Sequence, residues 1–126
     1  MYYLTCGVLA NLVTAVVDYN GDIPYIGASG AVAGVIGAYF LLFPGSRIRV
    51  LMPIWIIPLT FKMRAFWFAL IWIAMEIPPA LSILFFQTPI RIGHWAHLGG
   101  FFAAALIVFF LRPEAFQRFI NGLPVA

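Results

Sequence analysis

Three long stretches of this chain carry no charge: residues 1–17, residues 23–46, and residues 92–111, where only a protonated histidine would add one. A run of about 18 or more apolar residues is the mark of a membrane-crossing helix. The alternative, a soluble core, needs a charged shell. Only 9% of residues are charged, against 64% hydrophobic, whereas a soluble domain carries roughly a quarter charged. The sequence therefore predicts an all-α, polytopic membrane bundle forming one domain over residues 1–126.

The net charge of +3 raises nucleic acid as a partner. The basic residues sit between the apolar runs instead of clustering on one face, so that reading is rejected and they are read as topology signals. Cys6 is the one cysteine; it has no partner for an internal disulfide and suits a small apolar filler. Met1 leads directly into Tyr2-Tyr3-Leu4, with no basic n-region or small-residue cleavage site, so the first apolar run does not read as a signal peptide.

Four spans are expected, at about 2–19, 28–43, 65–86 and 94–111. Between the first two, Asp18-Tyr19-Asn20-Gly21-Asp22 reads as a polar turn with Asn-Gly as its signal. Pro44-Gly45 ends the second. The stretch from Leu51 to Phe61 is too short to cross as a helix, at about 18 Å against about 30 Å, and as an unpaired strand it would leave backbone groups unsatisfied in lipid. It is expected to lie at one interface as an irregular segment containing Pro53, Trp55 and Pro58. Pro78-Pro79 should break or kink the third span, residues 87–93 form an outer loop with Arg91, and the tail from 113 lies on the membrane surface. Under this assignment Arg47, Arg49, Lys62, Arg64, Arg112 and Arg118 fall on one side, and only Arg91 falls on the other, with Asp18 and Asp22. The positive-inside rule then puts both termini in the cytoplasm.

That topology brings two polar residues to one depth. Ser29 heads the second span and His97 lies near the head of the fourth, and both spans run inward. At roughly 100° per residue, Ser29, Gly30, Ala33, Gly34 and Gly37 share a face about 140° wide. Gly93, His97, Gly100 and Ala104 form a second narrow face of mostly small residues. Small faces let membrane helices approach closely, which would bring hydroxyl and imidazole together. A neutral imidazole within about 3 Å takes the serine proton and returns it to a leaving amine. The free N–H groups at the head of the Ser29 helix suit a developing oxyanion.

Other readings of the same residues stay open. A serine in a glycine-rich helix serves packing or back-bonding. His94 and His97 at i, i+3 could bind a metal, but no carboxylate or cysteine is clearly placed with them, so no metal and no cofactor is assigned. Glu76 is either a functional intramembrane carboxylate or a protonated packing residue. By span arithmetic it lies at mid-membrane, below the Ser29–His97 level, so a dyad is the simpler proposal.

Gly27-Ala28-Ser29-Gly30, followed by Gly34 and Gly37, together with Ala96-His97-Leu98-Gly99-Gly100 and the basic, proline-containing segment between spans, resembles the rhomboid intramembrane serine proteases over nearly the whole chain. The resemblance implies a six-span helical core opening to water on the outer side, transmembrane protein substrates, Ser29 as nucleophile with its backbone N–H as an oxyanion donor, His97 as base, and close packing at Gly27, Gly30, Gly34 and Gly100. It also implies an integral membrane location, here a bacterial cell membrane. Three positions depart from the family pattern. The chain starts at the third span of that core, so the histidine and asparagine that complete the family's oxyanion site have no match, and the missing N-terminal spans of the parent become a required partner. Ala33 stands where many members place an aromatic under the histidine, so the imidazole must be oriented from elsewhere. Ala104 replaces a common glycine. The expectation is that this chain alone cleaves weakly or not at all. A catalytically inactive rhomboid-like binding module and a small channel subunit with Glu76 in its path are the competing functions.

Overall fold

The computed structural model describes residues 1–17, 28–55, 57–86 and 93–122, without the side chains of Ile54 and Phe116. Within them the order is α1 (Tyr2–Val17), α2 (Ser29–Leu42), β1 (Arg47–Ile54), β2 (Ile57–Arg64), α3 (Ala65–Phe86), α4 (His94–Leu111) and α5 (Pro113–Ile120). The fold is all-α apart from one small hairpin, as the composition predicts. Two helices, α3 and α4, are long and apolar enough to cross a membrane, and α1 and α2 are shorter apolar helices. The expected turn at 18–22, Gly27 and the loop residues 87–92 lie outside the described residues.

α1, α2 and α4 form the tight part of the bundle, and small residues make it so. Along the α2–α4 seam, a Cβ added at Gly30 would stand 3.2 Å from the Ala96 carbonyl oxygen, one at Gly34 3.2 Å from that of Gly100, and one at Gly37 2.6 Å from that of Phe101. A Cβ at Gly100 would overlap the Gly30 carbonyl. Rising numbers meet rising numbers, so α2 and α4 run parallel. α1 runs against both: Gly34 abuts Cys6, Gly30 abuts Ala10, and Gly99 abuts Val13. Cys6 is fully buried there, as its filler role requires. Thr14 Oγ1 donates to the Ala10 carbonyl at 3.1 Å, which satisfies the one buried polar side chain among the described residues. Ala104 is also fully buried, 3.2 Å from where a Gly37 Cβ would stand.

α3 packs differently. Only Ala65, Ala69 and Ala80 are buried on it, while Trp67, Met75, Phe85 and Phe86 are largely exposed. Such a helix is built for lipid on most of its circumference. Pro78-Pro79 do not break it; helix continues from Ala65 to Phe86 with both prolines inside. Membrane helices tolerate proline because neighbouring groups re-satisfy the freed backbone groups. At the far end from Ser29, Phe40 gathers Phe66, Phe101 and Phe119 with ring centroids 5.2, 5.9 and 5.3 Å away. That cluster docks α5, which begins with Pro113 at its first turn, a position where the missing N–H costs nothing.

The segment after α2 corrects the expectation of an irregular interfacial piece. β1 and β2 pair antiparallel in continuous register, from Arg47 opposite Arg64 to Ile54 opposite Ile57. Each strand supplies the backbone partners that a lone strand would lack. Prolines 53 and 58 do not forbid it, because they stand opposite each other and both strands of a two-stranded sheet are edges, where proline is tolerated. The turn holds Trp55 at φ +57°, a left-handed conformation that costs a non-glycine residue about 1–2 kcal/mol.

Candidate active site

α2 begins at Ser29. Its N-cap residue, Ala28, makes no side-chain cap, so among the described residues no side chain occupies the first-turn N–H groups. Ser29 itself is exposed, while the next residues on the packing face, Gly30 and Gly34, are buried. The helix head thus sits against α4 by its backbone, with Ser29 exposed beside the contact.

On α4, His97 lies one turn from the N-terminus and is 12% exposed at its side chain. Its neighbour Ala96 touches Gly30, the neighbour of Ser29. The two helix heads are therefore in van der Waals contact one residue away from each candidate. No hydrogen bond joins Ser29 to His97 among the described residues.

The polar contact of His97 comes from α3. Glu76 Oε2 lies 2.9 Å from His97 Nδ1 and 2.6 Å from His94 Nδ1. With an ionised carboxylate both ring nitrogens donate, and one oxygen accepts from two imidazoles. This places the protons on Nδ1 and leaves each Nε2 lone pair outward; the tautomers are assigned from the network. The three side chains are only 12–13% exposed, so these charge-assisted bonds form in a low-dielectric setting where they are strong. Trp72, one helical turn before Glu76, lies 5.8 Å from the His97 ring at 42° and also contacts Phe101.

Glu76 is the main correction to the sequence reading, which set it below the His97 level. It stands ten residues before the end of α3, about 15 Å along the axis, and His97 three residues into α4, about 5 Å. The two helices are not level at this end, so counting from their termini misjudges depth. Trp72 and Glu76 at i, i+4 share one face of α3, as His94 and His97 at i, i+3 do on α4, but this spacing carries no information on the offset that brings the two faces level.

Glu76, His94 and His97 are also the one group of metal-ligating side chains among the described residues, with ligand atoms all within 4.8 Å of each other. A carboxylate does therefore accompany the two histidines. The 2.6 and 2.9 Å separations are those of shared protons; ligands around a tetrahedral zinc stand about 3.3 Å apart. An open groove between α1 and the heads of α2 and α4, lined by Tyr3, Gly7, Asn11, Ala28, Gly30 and Ala96, reaches the backbone beside Ser29.

A family model described as the Rhomboid domain matches residues 1–114, a range that includes Ser29, Glu76 and His97. No curated protein and no solved structure gives a significant match. That family consists of intramembrane serine proteases and their inactive relatives, and its helices are those of integral membrane proteins. On a match that covers most of its length, the chain belongs to the rhomboid family.

Proposed function

We propose that the chain carries the nucleophile and base of an intramembrane serine endopeptidase acting on transmembrane proteins. The observation that carries this reading is the contact of two helix heads at Gly30 and Ala96, with Ser29 and His97 beside it, joined to the bond from His97 Nδ1 to Glu76. Ser29 Oγ attacks the scissile carbonyl carbon as its proton passes to His97 Nε2. The carbonyl oxygen gathers negative charge and takes hydrogen bonds from N–H groups at the head of α2, that of Ser29 among them. His97 then returns the proton to the leaving amine, and water hydrolyses the acyl-enzyme by the same route reversed. Catalytic hydrogen bonds often tighten only once substrate is bound, so the absence of a Ser29–His97 bond before binding is compatible with this sequence of steps.

Glu76 acts through His97 and is a positioning residue. By accepting from Nδ1–H it fixes the tautomer whose Nε2 is free to take a proton, and it stabilises the imidazolium that follows. Together with Trp72 it supplies the ring orientation that Ala33 is too small to give. The scheme is a triad in function, in place of the simpler dyad. By the charge distribution, the site opens on the side opposite Arg47, Arg49, Lys62 and Arg64.

The test is labelling with a fluorophosphonate in membranes. Covalent labelling that disappears in Ser29→Ala and in His97→Ala supports the reading. Labelling that persists in Ser29→Ala sinks it, and absence of labelling in the parent favours an inactive rhomboid relative.

A further inference from the structure

The β1–β2 hairpin is left unexplained by the protease reading, and its register sorts its side chains sharply. Arg47 pairs with Arg64 and Arg49 with Lys62, which puts four cations on one face near the base. The opposite face carries Ile48, Val50, Met52, Leu59, Phe61 and Met63 by the two-residue alternation of strands. Towards the turn the polar character fades from both faces, and Leu51, Trp55 and Ile57 are 62%, 97% and 68% exposed. None of the four cations joins an ion pair among the described residues, where Glu76 and Glu114 are engaged with histidine and Arg112. Like charges directly across a strand pair repel. The turn adds a second anomaly: an indole fills a left-handed position that asparagine or glycine would fill without strain.

We infer that this hairpin is a lipid-reading element that docks on an anionic bilayer leaflet. The cation quartet sits among the phosphate groups, and the exposed apolar end of the hairpin, Met52 and Leu59 with the Trp55 tip, enters the acyl boundary, while Ile48 at the base packs towards Tyr39 and Phe68. An anionic surface relieves the repulsion between facing cations, and tryptophan partitions to that boundary. Depth follows from the backbone. Six residues separate Arg49 from Trp55, about 20 Å of strand. Upright insertion would bury two unpaired strand edges in hydrocarbon, which is prohibitive. The hairpin therefore lies obliquely or flat, with its edges still hydrated. This inference rests on the hairpin alone and holds whether or not Ser29 is a nucleophile.

The full chain is reconstituted in vesicles of phosphatidylcholine, or of phosphatidylcholine with one-third phosphatidylglycerol, each with lipids brominated on the upper acyl chain. The fluorescence difference between the parent and Trp55→Phe reports Trp55 alone. In anionic vesicles Trp55 is strongly quenched. In neutral vesicles, at high salt, and in Arg49→Gln/Lys62→Gln, the docked-to-undocked ratio falls, by about fivefold for each cation removed. Arg49→Lys, which keeps the charge, retains the quenching, and this separates lost attraction from a misfolded hairpin. Trp55 that stays unquenched in both vesicle types overturns the inference. So does quenching that is equal in both and unaltered in the double glutamine variant, as does cross-linking of hairpins into dimers in place of bromine contact.

Discussion

Ser29 and Glu76 serve one proposed site from two helices that are held in opposite ways. α2 reaches α4 through glycines, backbone against backbone, with Gly30 and Gly100 leaving no room for a methyl group between them. α3 reaches α4 with a carboxylate and one indole ring, and keeps most of its surface outside the bundle. The proposed nucleophile is thus positioned by shape, and the carboxylate by hydrogen bonds. A shape contact has nearly no tolerance for added volume, whereas a hydrogen-bonded contact is sensitive to the identity of one group and indifferent to the bulk around it.

The largest effect tests whether the shape-held helix carries the chemistry at all. Assayed together with the N-terminal spans that the family resemblance implies, Ser29→Ala should abolish cleavage of a transmembrane reporter, a fall of at least about 10⁴-fold in kcat, while the helical circular dichroism and thermal midpoint remain those of the unsubstituted chain. Ser29 is exposed, and the change removes a single hydroxyl. Residual cleavage within tenfold of the parent would assign the chemistry to another group.

Next comes the seam itself. Gly100→Ala introduces a methyl group that overlaps the Gly30 carbonyl, and neither backbone can rotate away as a side chain would. Overpacking of this kind costs about 1–3 kcal/mol, here with loss of Ser29–His97 alignment. The expected result is a lower detergent-denaturation midpoint together with loss of activity. An added methyl at Gly45, which has nothing within 4 Å, should change neither. Equal effects at the two positions would show that the seam is looser than described.

Glu76→Gln probes the hydrogen-bonded side of the comparison. The amide keeps the volume and one accepting oxygen, as Oε2 alone takes both bonds, but it carries no charge to strengthen them or to stabilise an imidazolium. We expect kcat to fall about 10- to 100-fold with KM unchanged, and fluorophosphonate labelling to slow in proportion, because only the readiness of His97 is altered. Glu76→Asp keeps the charge and should recover part of the rate. A variant that lost rate through KM alone, or whose thermal midpoint collapsed, would make Glu76 a structural residue.

The contrast also explains what could be read from the chain beforehand. Charge-free runs and the small faces on α2 and α4 were legible because close packing in a membrane leaves few residue types to choose from: glycine at 30, 34 and 100 is a direct image of the contact. The Glu76 contact was not, since it depends on the relative offset of two helices, and no local pattern encodes an offset. The hairpin escaped for a related reason. Each strand alone looked unpairable in lipid, and its partner became visible only through register, with proline facing proline. Ala33 was informative in reverse, because the absent aromatic signalled that some other group must hold the imidazole, and Trp72 and Glu76 do so.

The smallest effect comes from a carboxylate that matches Glu76 in distance and differs in surroundings. Glu114 Oε1 accepts from Arg112 Nε at 2.6 Å, the same separation as Glu76 to His94, but its side chain is 59% exposed against 13%. The hydrogen bond from Arg112 holds the Glu114 carboxyl below its usual range, with its own helix backbone adding to this. A depressed value means that the contact favours the folded state above the ordinary carboxylate pKa, about 4.3, and loses that effect as pH falls through the lowered value. Water and salt screen an exposed pair, so distance alone should count for little. Glu114→Gln should therefore leave thermal midpoint and cleavage unchanged at neutral pH, and differ from the parent only in strongly acidic buffer. If it disturbed activity as much as Glu76→Gln does, the burial difference on which the comparison turns would have no bearing on function.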